Sequence, residues 1–207
     1  NRYVNVYDDG NSGGWDLVGA PGGMSIADFI TANGSNIEVI GDNYAFAQFN
    51  NASGQWERYA TDNSDTGSFT SGKGYSMATT TGATVAFTGE IQTAVQSINI
   101  IDNNDANEGA GRRWNLVSNP FPSYIDGSAF LTANAAIIDT EYTGVYGWDG
   151  SDYVIYNQLD FNSNVSIAPG QGFWVAAASA VSAQLDFTAD LRTVSGSGDF
   201  VTGPELL

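Results

Sequence analysis

Short runs in which apolar and polar residues alternate recur along the chain, and they predict β-strands. Residues 3–7 form the first such run. Runs at 44–49 and 56–60 lie on either side of a segment rich in Asn, Ser and Gly, which predicts a hairpin. Runs at 74–79 and 84–91 predict a second hairpin. The pattern therefore indicates an all-β chain.

Two short segments favour a helix instead. Ser25 precedes an apolar run at residues 26–30, and its hydroxyl can accept hydrogen bonds from the amides of the first turn. The segment Asp126-Gly127-Ser128 is predicted to cap a second short helix at residues 129–133. We therefore predict one short capped helix in each half of the chain.

The second half repeats the first at an offset of about 100 residues. Gly-Trp-Asp-Leu-Val at residues 14–18 returns as Arg-Trp-Asn-Leu-Val at residues 113–117. Gly-Lys-Gly-Tyr at residues 72–75 returns as Gly-Gln-Gly-Phe at residues 170–173. Conserved order at nearly constant spacing indicates a tandem duplication.

The duplication predicts two β-sandwich-like repeats of about 100 residues, each with one short helix. The first copy spans residues 1–95 and the second spans residues 96–195. Residues 196–207 are predicted to be a linker or the start of a further domain. The strands expected in the second copy lie at residues 97–101, 114–117, 145–148, 153–156, 173–177 and 184–191.

Charge restricts the partners. The 207 residues include 23 acidic and six basic ones, for a net charge of −17. A chain this acidic would be repelled by a phosphate backbone, so nucleic acid is not an expected partner. No apolar run is long enough for a membrane helix, and membrane insertion is not expected either. The expected partners are neighbouring domains of the same or a parent protein, and an extracellular glycan.

Catalytic motifs are weak in this sequence. The chain contains neither Cys nor His, so the literal Gly-x-Ser-x-Gly match at residues 10–14 lacks the usual general base. The near match to a phosphate-binding loop at residues 67–74 ends in Gly74, where Ser or Thr should hold magnesium. Asp149 and Asp152 could form a hydrolytic pair, but both lie in a short turn that favours Asp for structural reasons. We predict that the chain is not an enzyme.

One polar loop is a candidate calcium site. It carries Asp102, Asn104, Asp105 and Asn107, and hard oxygen ligands in a flexible loop suit Ca²⁺. The spacing meets the calcium-loop pattern only in part, and no bidentate Glu follows. A solvated loop without metal is the alternative.

A second candidate site is aromatic. Trp148, Tyr153 and Trp174 lie on predicted strands, beside Asp149 and Asp152 in a turn. If Phe173 and Val175 point inward, strand alternation makes Trp174 point outward. Exposed aromatic rings next to carboxylates can stack on a sugar and bond its hydroxyls. Packing of these rings between the two copies is the alternative explanation.

Three segments of the second copy carry a resemblance to a known class of module. Trp-Asn-Leu-Val-Ser-Asn-Pro-Phe-Pro (114–122), Tyr-Gly-Trp-Asp-Gly (146–150) and Ile-Ala-Pro-Gly-Gln-Gly-Phe-Trp-Val (167–175) resemble a repeated β-module of large Bacteroidetes cell-surface and secreted proteins. The first copy matches it more loosely. Such proteins are typical cargo of the type IX secretion route, so the resemblance implies an extracellular or outer cell-surface location. It supplies no catalytic residue.

These observations favour a non-catalytic structural or adhesive segment of an exported cell-surface protein. The alternative is a carbohydrate-binding module that uses the exposed aromatics with Asp and Asn. A small polysaccharide-cleaving enzyme is the third hypothesis.

Overall fold

The computed structural model describes residues 1–9, 14–20, 23–62, 64–104, 110–158, 166–196 and 198. The Gly-x-Ser-x-Gly match therefore lies almost wholly outside the described residues, as does most of the predicted linker. The elements of the first copy are β1 (Arg2–Val4), β2 (Asp16–Val18), α1 (Ile26–Asn33), β3 (Val39–Ile40), β4 (Asn43–Asn50), β5 (Gln55–Ala60), β6 (Tyr75–Met77) and β7 (Ala83–Val85).

The second copy repeats this succession with short additions. Its elements are β8 (Gln96–Ile100), β9 (Trp114–Ser118), β10 (Tyr124–Asp126), α2 (Gly127–Ala133), β11 (Val145–Trp148), β12 (Tyr153–Tyr156), β13 (Ser166–Ile167), β14 (Gly172–Ala176), β15 (Ala183–Phe187) and β16 (Arg192–Thr193). Short 3₁₀ helices span Ala110–Arg113 and Ala189–Leu191.

The strand order is the same in both copies. In the first copy the strands of the main sheet follow the order β2-β6-β4-β5, with β3 also on β4, and in the second they follow β9-β14-β11-β12. A separate antiparallel pair lies beside each main sheet, β1 with β7 and β8 with β15. The second copy has in addition a three-stranded sheet in the order β13-β10-β16. The predicted all-β, sandwich-like class is confirmed. The residue limits assigned to the copies stay a prediction.

The predicted hairpin between residues 74–79 and 84–91 is wrong. Strand β6 pairs with β2 and β4, whereas β7 pairs with β1. The chain leaves one sheet for the other at Thr79, whose hydroxyl donates to the carbonyls of Val4 (2.9 Å) and Asn5 (2.8 Å). A Gly-containing turn is compatible both with a hairpin and with a crossing between two sheets. Only the strands that pair with β6 and β7 decide between these two arrangements.

The predicted helix caps are confirmed. Ser25 Oγ accepts a hydrogen bond from the amide of Asp28 at 3.0 Å, and Asp126 Oδ1 accepts one from the amide of Ala129 at 2.9 Å. Helix α1 continues to Asn33, past the predicted end at residue 30.

A buried asparagine anchors the end of each helix. Asn33 Nδ2 donates to the carbonyls of Phe29 and Ala86, both at 3.0 Å, and its Oδ1 accepts from the amide of Ala86 at 2.8 Å. Asn134 makes the same three bonds with Phe130 and Asp186. Asn33 thus bonds both backbone groups of Ala86, next to β7, and Asn134 bonds both of Asp186, within β15. These bonds hold each helix over the core of its own copy.

Each copy has a hydrophobic core of its own. Phe29, Phe46 and Tyr75 are among the largest buried side chains of the first core, and Phe130, Phe173 and Phe187 are among those of the second. The strands of the main sheets direct alternate residues toward these cores, as a pleated sheet requires. Their opposite faces meet each other, and we call that contact the seam.

Buried side chains from both copies fill the seam. Leu17 from β2 packs against Leu116 from β9 and Trp174 from β14. Backbone hydrogen bonds cross it in both directions: the amide of Gly19 donates to the carbonyl of Gly170 at 2.9 Å, and the amide of Ser118 donates to the carbonyl of Gly72 at 2.8 Å. The duplicated Gly-x-Gly segments therefore contact each other's copy reciprocally, as in an isologous dimer.

Two equivalent glycines permit this close approach. A Cβ atom on Gly172 would lie 2.7 Å from the carbonyl carbon of Leu17, and one on Gly74 would lie 2.6 Å from Cγ of Leu116. Both distances are well inside van der Waals contact, so any larger residue would push the copies apart. The recurring glycines are needed because another backbone or side chain occupies the space of a Cβ.

Candidate functional site

All five tryptophans of the chain line two adjoining cavities at the seam. The smaller cavity, of about 280 Å³, is lined by Trp15, Leu17, Ala47, Trp56, Arg58, Ser76, Trp148 and Tyr153. The larger, of about 520 Å³, is lined by Phe49, Gly54, Trp56, Trp114, Tyr146, Tyr153, Ile155 and Trp174, and we call it the aromatic groove. Trp56 and Tyr153 line both. The structure therefore brings together Trp148, Tyr153 and Trp174, which the sequence had placed on separate strands.

The expectation that Trp174 is exposed is wrong. Its side chain is only 6% exposed. It does point away from the core that holds Phe173 and Val175, as strand alternation requires, but the first copy covers it. Its ring centroid lies 4.8 Å from that of Phe49 and 5.6 Å from that of Trp56. The alternative explanation, packing between the copies, describes this residue.

Tyr153 and Trp56 form the accessible rim of the groove. Tyr153 is 54% exposed and Trp56 is 42% exposed, and Ile155 beside them is equally open. Trp148 lies opposite Tyr153 across the β11–β12 pair, with ring centroids 4.9 Å apart. The indole Nε1 of Trp148 is buried and has no acceptor among the described residues, so this residue offers its ring face and not a hydrogen bond.

Asp149 builds the turn at the tip of the β11–β12 hairpin. Its Oδ1 accepts from the amides of Ser151 and Asp152, both at 2.8 Å, and from the Ser151 hydroxyl at 2.9 Å. These donors favour the ionised carboxylate, so the pKa of Asp149 lies below its usual value, chiefly because of the Asp152 amide. A general acid for glycoside hydrolysis needs the opposite shift. In this geometry Asp149 stabilises a turn, and Asp152 is an exposed residue of the same turn.

The candidate calcium loop is described only in part. Asp102 Oδ1 accepts from the amide of Asn104 at 2.8 Å, and Asn104 Oδ1 accepts from the amide of Arg112 at 2.8 Å. Asp105 and Asn107 lie outside the described residues. No group of three acidic side chains that could hold a metal ion occurs in the part of the chain that the structure describes. The calcium site stays a prediction.

A larger cavity, which the sequence did not indicate, lies between the β4–β5 hairpin of the first copy and the β8–β15 pair of the second. It measures about 710 Å³, and we call it the polar cleft. One wall carries Gln48, Asn50, Glu57 and Lys73, and the other carries Ser97, Asn99 and Gln184. Its apolar floor includes Ile98 and Leu116.

The first wall is a continuous hydrogen-bond network. Lys73 Nζ donates to Gln48 Oε1 at 2.6 Å, and Gln48 Nε2 donates to Glu57 Oε2 at 2.9 Å. Asn50 Nδ2 donates to the other carboxylate oxygen of Glu57 at 2.6 Å. Burial lowers the pKa of the Lys73 ammonium, and the nearby Glu57 carboxylate offsets part of that shift. The network holds these side chains in fixed positions.

Two sequence signals could have located this cleft. Lys73 is the only lysine of the chain, and it replaces the glutamine of the second copy. The distance along the chain from Phe49 to Trp56 also exceeds that from Trp148 to Tyr153. Both differences between the copies lie in the cleft wall. Neither difference indicates the opposite wall of the cleft, whose residues lie tens of positions further along the chain.

The chain belongs to the family described as "Domain of unknown function (DUF8693)", whose model matches residues 23–202. A single match thus runs through both copies. No curated protein and no solved structure matches the chain. None of the helices in the described residues is long and apolar enough to cross a membrane.

Proposed function

We propose that this member of the DUF8693 family is a non-catalytic structural or adhesive segment of an exported cell-surface protein. The observation that carries the proposal is the reciprocal seam, in which Gly74 and Gly172 bring the two copies into direct backbone contact. A seam with its own buried cluster makes the two copies one rigid unit, and a spacer or adhesive segment requires such a unit.

The chemistry of the side chains supports a non-catalytic role. Without His or Cys, the chain lacks the usual proton shuttles and the thiol nucleophile near neutral pH. The carboxylates of Asp149 and Asp126 serve local structure, since each accepts hydrogen bonds from nearby backbone amides. An acidic exterior keeps such a unit soluble outside the cell, and neighbouring domains of a parent protein are its natural partners.

A bead assay tests this proposal. Beads coated with the chain are expected to adhere to bacterial or host cell layers above the background given by beads coated with an inert protein of similar net charge. In parallel, incubation with soluble polysaccharides is expected to release no reducing ends. Release of reducing ends that grows linearly with protein concentration would refute the non-catalytic role, and adhesion at background level would refute the adhesive one.

The aromatic groove favours a second candidate function, carbohydrate binding. Aromatic rings bind the flat C–H faces of sugars, and Trp56 and Tyr153 present about half of their surface at the rim of the groove. The volume of about 520 Å³ lies within the range of small-ligand sites. Asp149 and Asp152 stand at the end of the same hairpin. In this role the segment would attach its parent protein to an extracellular glycan.

Replacing Tyr153 with alanine is expected to weaken glycan retention in affinity gel electrophoresis about tenfold, because one stacking surface of the rim is lost. Trp56→Ala is expected to do the same. Tyr3 provides the matched control, since it is similarly exposed, at 52%, but does not line the groove. Equal retention of Tyr153→Ala, Tyr3→Ala and wild type would remove the groove as the binding surface.

A further inference from the structure

We propose that the polar cleft is a separate binding site for a neutral, hydroxyl-rich ligand, namely the end of a neutral oligosaccharide. This inference extends the carbohydrate-binding function to a second surface. Phe49 lines both the cleft and the aromatic groove, but the rim residues Trp56 and Tyr153 line only the groove, so the two sites can be tested separately.

The cleft exists because the two copies differ. Strands β4 and β5 continue one residue pair beyond the Phe49–Trp56 pair, to Asn50 opposite Gln55. The corresponding strands β11 and β12 end at the equivalent pair, Trp148–Tyr153. The first copy thereby gains a longer wall. The extension adds Asn50 to the Gln48–Glu57 pair, which lies on the other side of Phe49–Trp56. Where one copy of a duplicated chain differs from the other, we expect the difference to serve a role that the other copy lacks.

The tip of the longer hairpin is fixed to the second copy. Asn51 Nδ2 donates to the carbonyls of Ile101 and Trp114, both at 3.1 Å, and also to that of Arg112. The wall is therefore held in place before any ligand arrives, which lowers the entropic cost of binding.

Lys73 is the second difference between the copies. Its counterpart Gln171 is 3% exposed, and its Oε1 accepts from the amide of Ala168 at 3.1 Å, so it belongs to its own turn. Lys73 instead extends into the cleft, where one of its three N–H groups reaches Gln48. The ammonium also lies 5.8 Å from the centroid of the Tyr75 ring. The other two N–H groups have no hydrogen-bond acceptor among the described residues, so they can donate to a ligand.

The opposite wall offers unused amides. Asn99 and Gln184 lie directly opposite each other on β8 and β15, and both are exposed. Neither side chain has a hydrogen-bond partner in the described part of the chain. An amide both donates and accepts, as a sugar hydroxyl does, so facing amides suit a ligand with many hydroxyls.

The charge of the cleft and of the whole chain selects against acidic ligands. Among the described residues that line it, only Glu57 and Lys73 are charged, and they are of opposite sign. An acidic ligand would meet Glu57 and the field of a chain with net charge −17. With a volume of about 710 Å³ and an apolar floor, the cleft accommodates a few sugar units whose hydroxyls reach both walls.

The test is a titration of the ¹⁵N-labelled chain, followed by ¹H–¹⁵N NMR, with hexasaccharides of glucose, xylose and mannose, and with hexagalacturonate as the acidic member. A neutral hexasaccharide is expected to shift the side-chain amide signals of Asn99 and Gln184 saturably. The affinity is expected to change little between low and moderate salt. Lys73→Gln copies the residue of the second copy, and it is expected to weaken binding about tenfold without lowering the melting temperature.

The outcomes separate this site from the aromatic groove. Asn99→Ala with Gln184→Ala is expected to weaken binding at the cleft, whereas Trp56→Ala is expected to leave the Asn99 and Gln184 shifts unchanged. Failure of every neutral hexasaccharide to shift these signals at about 10 mM would overturn the proposal, since it implies affinity too weak for a built site. Preference for hexagalacturonate, or full affinity in Lys73→Gln, would overturn it as well. If glycan is bound by the aromatic groove and not by the cleft, the cleft proposal is overturned while the carbohydrate-binding function is retained.

Discussion

Trp174→Ala is expected to lower the free energy of unfolding by about 3–5 kcal/mol, the range for truncating a large buried aromatic residue. The indole is 6% exposed and lies at the centre of the seam, against Leu17 and Leu116. Because its neighbours are on backbone segments fixed by hydrogen bonds across the seam, they cannot close the space that alanine leaves. The cavity therefore adds to the lost burial.

Urea unfolding followed by far-UV circular dichroism measures this effect without depending on tryptophan fluorescence. Trp56→Ala is the matched control, since Trp56 is 42% exposed at the rim of the same groove and is expected to cost much less. Equal midpoints for Trp174→Ala and Trp56→Ala would contradict a buried seam. The result also bears on ligand assays, because loss of glycan retention in Trp174→Ala would report an opened seam and not a lost contact.

Asn119→Ala is expected to lower the free energy of unfolding by about 3 kcal/mol. Asn119 is completely buried. Its Nδ2 donates to the carbonyls of Ser123 (2.9 Å), Ile167 (3.0 Å) and Ala168 (3.1 Å), and its Oδ1 accepts from the amide of Phe121 at 3.0 Å. Alanine would leave several of these groups buried and unpaired, and each costs about 1 kcal/mol or more.

The same unfolding assay checks this prediction, with Asn99→Ala as the control. Asn99 is exposed and makes no hydrogen bond with its side chain among the described residues, so its replacement is expected to change stability by less than about 0.5 kcal/mol. The first copy has Ala20 where the second has Asn119, and Ala20 is fully buried without such a network. A neutral Asn119→Ala would show that the second copy can also dispense with the network.

Much of the candidate site was visible in the sequence, but not its arrangement. The strand pattern predicts Trp148, Tyr153 and Trp174 as candidate residues, and the structure places them along two adjoining cavities. Strand alternation predicts that Trp174 points away from its own core, but it does not predict which residues pack against it. Phe49 and Trp56, which cover it, come from the other copy, more than 100 residues away along the chain.

The polar cleft shows the same limit more strongly. The network of Gln48, Glu57 and Lys73 joins segments of one copy, and its opposite wall, Asn99 and Gln184, belongs to the other. Nothing in the spacing of these residues relates them. Their proximity follows from how the two copies dock, which is set by the close backbone approach at Gly74 and Gly172.

By itself, the sequence determined the all-β class, the repeated order of elements, the β4–β5 and β11–β12 hairpins and the two helix caps. These features depend on alternation, capping and turn residues within a few positions of one another, so the interactions that determine them are contained in short segments of the sequence. Only the tertiary structure decided that β6 and β7 enter different sheets, that Trp174 is covered, and that a cleft opens between the copies. Those features depend on contacts between distant segments, and the pattern of one strand does not specify its partner.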